Sequence, residues 1–410
     1  MSNILILGGG VSGKAAALLA EKLGDTSVIL NDGENTFLPE GGDLIVASPG
    51  VHPLRSGLYK AALDSGKEFI GELEYGFRHF KGRTVAVTGT NGKTTTTELT
   101  VFLLREAGID AVAAGNIGLP LSAVAAQEDP PGTVVIEVSS FQLELAPSFA
   151  PSAAALLNLE SDHEDRYAGG FAEYCAVKRK IFDKVPSCNQ IWGLSFADKP
   201  RRVTFGNEML CIDGKALFDV RETALSAPHN RENLAAAVEL FLRLEPDKVQ
   251  VLPEAVKKFR CGSHRIELFC ESGGVRFYDD SKGTNPAAVA AAVDSVQGRI
   301  VLLAGGLDKG MDFSLFRTFV PRLRSLVVYG RCRDRIAEIF SGSGVKITSC
   351  GMDFEKAVSA AVADARPGDA VMLSPGCASM DMFKNYQERG DKFKELVLQR
   401  VKGRRPGEEK

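Results

Sequence analysis

The chain has 410 residues, of which 44% are hydrophobic and 25% charged, with 42 glycines and 18 prolines; a length of that order holds two to four compact domains and excludes a single small module. The formal net charge is -3, so no global positive field recruits nucleic acid and any anionic ligand must be met by local groups. No stretch approaches the roughly 18 apolar residues of a membrane span, and the apolar residues 4–7 follow a start with no basic leader, so a soluble cytoplasmic protein is expected. The eight cysteines never form a C-x-x-C pair, which argues against a thiolate metal site and for small, buried, reduced thiols.

In chain order, short β-branched runs recur between helical patterns at residues 4–7, 28–31, 44–47, 84–88, 134–138, 153–158, 300–304, 326–329 and 370–374. Strands that alternate with helices predict an α/β fold: parallel sheets covered on both faces, with ligand loops beyond the carboxyl ends of the strands. Gly-rich strand-to-helix turns at residues 8–13, 88–94 and 305–310 suggest three α/β units. The cuts are expected near residue 75 and near residue 262, after a helix from Arg231 and a short segment at 254–259. That divides the chain into residues 1–75, 76–262 and 263–410. The tail from Lys402 is charged and interrupted by Gly403, Pro406 and Gly407, a composition that predicts disorder.

The first turn fits G-x-G-x-x-G through Gly8, Gly10 and Gly13, and Asp32 lies nineteen positions after Gly13 at the end of the next run. In isolation this pattern indicates dinucleotide binding, yet the physics asks for less. Glycines let the backbone approach a diphosphate, and a helix N-terminus stabilises its charge, so any nucleotide diphosphate would fit, and a purely structural turn is the alternative.

The second turn carries the strongest chemistry. The run Val85-Ala86-Val87 leads into Gly-Thr-Asn-Gly-Lys-Thr-Thr-Thr-Thr and then a helical pattern. Backbone amides can cradle phosphates there, Lys93 can reach the β- and γ-phosphates, and the Thr94 hydroxyl can ligate Mg²⁺. Val87 stands where a standard P-loop has its first Gly, so the loop is a variant. Glu137 ends the next apolar strand and is positioned to hold Mg²⁺ through oxygen, with a capping or solvated acid as the bland reading. His163 lies among acids in Asp162-His163-Glu164-Asp165-Arg166, after another strand, and Lys178 follows fifteen positions on in a helical stretch.

Taken together these segments resemble the Mur ligases, ATP-dependent enzymes that form the amide bonds of the peptidoglycan peptide stem. The order is theirs: Thr-Gly-Thr-Asn-Gly-Lys-Thr, Gly115-Asn116-Ile117-Gly118, Glu137 to Glu144, Asp162-His163-x-Asp165-Arg166 and His229-Asn230-x-x-Asn233. So are His264-Arg265 and Asp280-Ser281-Lys282-Gly283-Thr284-Asn285, and the match spans nearly the whole chain. Ser48-Pro49-Gly50-Val51, Ser374-Pro375-Gly376-Cys377-Ala378-Ser379 and Phe383 to Gly390 are similar to the members that add D-glutamate to UDP-N-acetylmuramoyl-L-alanine. The Asp-Asn-Pro-Arg signature of the diaminoacid-adding members is absent.

The resemblance implies a Rossmann-like first domain, a central P-loop-type ATPase domain and a Rossmann-like third domain. It replaces the dehydrogenase reading of the first turn by UDP-substrate binding, with Val11, Ser12, Asp32 and Gly33 near the uridine diphosphate and Ser48 and Asn116 at the muramoyl end. ATP would be held by Thr90, Asn91, Gly92, Lys93, Thr94, Thr95 and Thr96, completed by Asn233, Arg265 and Asp280. Of two Mg²⁺ ions, one would be served by Thr94 and Glu137 and the other by His163 and a carbamylated Lys178. Lys180 is the rival candidate for that last role. D-Glutamate would meet Lys282, Thr284, Lys309, Ser379 and Tyr386, and a monomer is expected. A folylpolyglutamate synthase of the same superfamily, an NAD-dependent dehydrogenase and a non-catalytic nucleotide-binding regulator are the rival readings.

Overall fold

Each of the nine apolar runs falls on a strand, buried or mostly buried except in Thr26–Leu30, in the computed structural model, which describes residues 1–402 apart from 35, 36, 163–165, 227, 261 and 309. The chain divides into two units: Met1–Leu159 with Arg166–Arg260, and Glu160–Asp165 with Cys261–Lys410. The first unit contains two all-parallel sheets. One has the strand order Thr26–Leu30, Asn3–Leu7, Leu44–Ala47, Glu68–Gly71. The other has the order Ala111–Gly115, Thr133–Glu137, Arg83–Thr88, Ala153–Leu156, Gln190–Trp192.

Central strands read as unbroken apolar runs because helices cover both faces; all five residues of Thr133–Glu137 are buried. A single apolar cluster includes Ile4, Ile6 and Val46 of one sheet together with Ala86, Val134 and Ile136 of the other. Residue 75, near which a boundary was expected, lies inside the helix Glu72–His79, and Leu73 and Tyr75 are buried in that shared cluster. A three-stranded antiparallel sheet, Val203–Gly206, Met209–Ile212 and Lys215–Asp219, precedes the helix Pro228–Leu244.

The second unit has a six-stranded sheet, ordered Glu267–Ser272, Val275–Asp279, Ala370–Leu373, Ile300–Gly305, Leu323–Tyr329, Lys346–Ser349. The first two strands form an antiparallel hairpin across Gly273-Gly274 and the remaining pairings are parallel. The third Gly-rich turn differs from the expectation: beyond Gly305 the next helical segment is the 3₁₀ stretch Ser314–Arg322, with Pro321 inside it. Pro321 lacks the N–H that an interior α-helical position would need.

No helix among the described residues is long and apolar enough to cross a membrane. The described cysteines are all free thiols. Cys332, Cys350 and Cys377 are buried as expected, whereas Cys188 is exposed, so burial is not general.

Candidate active site

At the second Gly-rich turn, the strand Arg83–Thr88 hands over to the helix Lys93–Glu106 through four residues. Gly92 caps that helix in the left-handed region (φ +84°), and a Cβ there would lie 2.1 Å from Asn233 Oδ1. Glycine is therefore required twice over, by conformation and by the close approach of Asn233. The Lys93 ammonium curls over the loop and donates to the carbonyls of Gly89 (3.0 Å) and Thr90 (2.9 Å). The Asn91 N–H donates to Asn158 Oδ1 (2.8 Å), and the Asn158 amide donates in turn to Glu232 (2.6 Å). Burial pushes the Glu232 carboxyl up, against the lowering pull of its bonds from Asn158 and Ser195. The Thr90 hydroxyl meets Tyr174 Oη at 3.0 Å.

Lys178, on the helix Gly170–Arg179, is 2% exposed; it donates to Gly89 O (2.9 Å) and lies 4.9 Å over the Tyr174 ring. Lys180 is exposed. Of the two candidates, Lys178 is the one against the phosphate loop. His163 lies outside the described residues, as do Asp165 and the side chain of His229. Thr95 and Thr96 are buried in the first helical turn, and the Thr96 hydroxyl donates to Asn233 Oδ1 (3.4 Å).

Glu137 ends the strand Thr133–Glu137 and is 2% exposed. Its carboxylate accepts from the Thr94 hydroxyl (2.6 Å) and from the Asn116 amide (2.7 Å). Thr94 and Glu137, forty-three residues apart, thus put hard oxygen donors side by side, the donor type Mg²⁺ takes. Asn116 stands at the same carboxylate.

The first Gly-rich turn builds a different kind of site. A cavity of about 620 Å³ is lined by Gly8 to Ser12, Asn31, Asp32, residues 48–52, Arg55 and Ser56. It gathers Val11, Ser12, Asp32 and Ser48; Gly33 does not line it. The helix Val11–Leu23 begins at its rim with no side-chain cap and no acid in its first turn, an arrangement suited to an anion. A Cβ on Gly13 would lie 1.9 Å from the Gly8 carbonyl oxygen, so this residue permits the helix to pack on the turn.

In the second unit, Asp280 follows the strand Val275–Asp279. Burial pushes its carboxyl up to about 7, opposed by a bond from the Ser374 hydroxyl (2.6 Å) and by the Arg265 charge. Lys282 lies 5.3 Å over the Tyr386 ring, and Ser379 is buried. Thr284 is half-buried, and Lys309 lies outside the described residues. Arg389, fully buried, donates to Ser281 Oγ (2.9 Å), Ser281 O (2.7 Å) and Cys377 O (3.1 Å). It ties the loop carrying Asp280 and Lys282 to the loop carrying Ser379, a role that no local pattern announces. His264, Glu267 and Asp279 also cluster, but the Lys394 ammonium sits 3.3 Å from Glu267 and 3.8 Å from Asp279. That charge already neutralises the carboxylates and disfavours a metal cation among them.

Known proteins share this chain's sequence pattern and fold. The Mur ligase middle domain matches residues 87–209, and the Mur ligase, glutamate ligase domain matches residues 264–377. The chain is 37% identical over 451 residues to the UDP-N-acetylmuramoylalanine–D-glutamate ligase of Pelotomaculum thermopropionicum, covering 98% of each chain. It is 40% identical over 400 residues to that of Aromatoleum aromaticum, covering 86% of this chain and 83% of the relative. Among solved structures it resembles UDP-N-acetylmuramate-alanine ligase of Thermotoga maritima, with TM-score 0.64, 18% identity and coverage of 98% and 100%. It also resembles the MurF ligase of Thermotoga maritima in complex with ADP, with TM-score 0.59, 16% identity and coverage of 89% and 90%.

Proposed function

The chain belongs to the Mur ligase family of ATP-dependent ligases, and from that premise we propose that it adds D-glutamate to UDP-N-acetylmuramoyl-L-alanine in peptidoglycan precursor synthesis. The observation that carries the reading is the meeting of Lys93, Thr94, Glu137 and Lys178 around one Gly-rich loop. Residues 1–75 would take the UDP-substrate, residues 76–262 ATP, and residues 263–410 the amino acid, in a single acting chain.

The substrate carboxylate attacks the γ-phosphorus of ATP, ADP leaves, and an acyl phosphate forms. The D-glutamate amine then attacks the acyl carbon, a tetrahedral intermediate collapses, and inorganic phosphate departs as the amide bond closes. Both steps bring anions together, so the protein's part is positioning and neutralisation. Lys93 serves the transferred phosphoryl group, and the loop from Thr90 to Thr96 holds the ATP phosphates. Asn233, Arg265 and Asp280 complete the nucleotide's contacts; Lys282, Thr284, Lys309, Ser379 and Tyr386 receive D-glutamate.

Thr94 and Glu137 would hold one Mg²⁺, and His163 with a carbamylated Lys178 would hold a second; the ions would supply charge neutralisation for the phosphate oxygens. Carbamylation would release the ammonium's proton, join CO₂ to the amine nitrogen and release a second proton, leaving a carbamate of charge -1 whose oxygens are the donor type Mg²⁺ takes. Mass analysis of the product tests the proposal. ATP and UDP-N-acetylmuramoyl-L-alanine with D-glutamate should yield the D-glutamyl adduct, whereas L-glutamate and diaminopimelate should not; equal turnover with diaminopimelate contradicts the assignment.

A further inference from the structure

We propose that Arg166 is a positioning residue that holds the Ser48–Val51 loop, and with it the UDP-substrate, against the phosphate-transfer end of the central sheet. This rests on the reading of the first Gly-rich turn as the UDP-substrate site. Arg166 is 5% exposed and grips Glu144 with two parallel bonds, Nε to Oε1 at 2.7 Å and Nη2 to Oε2 at 2.6 Å. Its guanidinium stacks 4.1 Å from the Phe141 ring centre, and its remaining arm donates to the Val51 carbonyl at 3.3 Å. A planar fork with a spare donor is what this triple contact needs, and lysine lacks it.

Both ends of that grip lead to a ligand loop. On one side the Val51 N–H donates to Ser48 O (3.1 Å), and the Ser48 hydroxyl donates to Gly8 O (2.8 Å) on the diphosphate turn. Val51 Cγ2 is close enough to Gly8 that a Cβ there would meet it at 2.9 Å. On the other side Phe141 lies in the helix Ser140–Leu143, and Glu144 caps its C-terminus. That helix is capped by a Ser139–Gln142 box immediately after Glu137 and Val138. Val138 is bonded at both ends to the strand feeding the phosphate loop: its N–H donates to Val87 O (2.8 Å), and its carbonyl accepts from the Thr88 hydroxyl (2.7 Å). One buried ion pair therefore fixes the distance between the loop that lines the 620 Å³ cavity and the strand end that carries Glu137.

The test separates positioning from mere stability. Arg166→Met alone strands the Glu144 carboxylate in a buried site, while Arg166→Met with Glu144→Leu removes the pair at similar volume, a replacement that buried ion pairs generally tolerate. Thermal unfolding and the KM for each of the three substrates are measured for both, with calorimetric binding of UDP-N-acetylmuramoyl-L-alanine. We expect the double variant to unfold near the wild-type temperature yet keep a KM and Kd for the UDP-substrate raised about tenfold or more, with KM for ATP and D-glutamate within about twofold. If the single variant does not fold, the double variant carries the comparison. A double variant with wild-type KM, or equal rises in all three KM values, overturns the proposal. Wild-type protein that binds no UDP-substrate overturns the reading on which it rests as well.

Discussion

Two glycine-rich turns of the first unit share one backbone device and diverge in everything around it. Each joins a buried parallel strand to a helix, Asn3–Leu7 to Val11–Leu23 and Arg83–Thr88 to Lys93–Glu106. Around the first, glycines and an uncapped helix end border an open cavity. Around the second, Lys93, Thr94, Asn91, Asn158, Glu137, Tyr174 and Lys178 interlock through bonds of 2.6 to 3.0 Å. The difference suits the two proposed tasks. Holding a diphosphate requires backbone donors and room, whereas transferring a phosphoryl group requires fixed charges aimed at charge that develops.

The sharpest way to break the comparison is to remove the charge. Lys93→Ala should lower ATP-dependent phosphate release by about a thousandfold or more while the protein stays folded, since the side chain is bonded to loop carbonyls and not packed in a core. Retention of more than about a tenth of wild-type turnover contradicts the phosphate-loop assignment. Lys178→Ala should also cost orders of magnitude, with partial rescue by short carboxylic acids, whereas exposed Lys180→Ala should turn over normally. A normal Lys178→Ala and a dead Lys180→Ala would reverse the choice.

At the first turn the backbone itself is the vulnerable part. Gly13→Ala puts a methyl group 1.9 Å from the Gly8 carbonyl, and the resulting strain should lower stability by about 1–3 kcal/mol and weaken UDP-substrate binding before ATP binding. Urea unfolding and calorimetry check both, and equal losses for the two ligands would erase the distinction between the turns.

The smallest effect is a pH dependence that belongs to the second turn. Because burial raises the Glu232 carboxyl pKa above its usual 4.5, the native state binds its proton more tightly than the unfolded chain. The associated stability is present in full below about 4.5 and is lost as pH rises through the native value. Relative to Glu232→Gln, wild-type stability should therefore decline with rising pH above about 4.5; a flat difference would show that Asn158 and Ser195 offset the burial completely.

How much of this was legible in the chain depended on range. The phosphate loop could be read because its chemistry is contiguous: strand, glycines, lysine and threonine within ten residues. Its supports could not, since Asn91 meets Asn158 across 67 residues and Thr90 meets Tyr174 across 84. Lys178 and Lys180 have the same local character, and only packing separates them. Likewise Arg166 and Glu144 stood in recognisable segments, but nothing in either segment indicated a joint grip on Val51. Two of the strands missed carried little side-chain pattern: Ala111–Gly115 is mostly alanine and glycine, and Lys346–Ser349 is a polar edge of four residues. A short edge strand needs little apolar surface of its own.

The central claim is that one chain couples ATP cleavage to amide formation between two specific partners, and phosphate release with substrates omitted one at a time tests it most directly. With ATP, UDP-N-acetylmuramoyl-L-alanine and D-glutamate together, release should be continuous and equal in amount to the amide product. Omitting any one of the three should reduce it to background. Sustained release from ATP alone, or from ATP with the UDP-substrate replaced by a folate, would contradict the account.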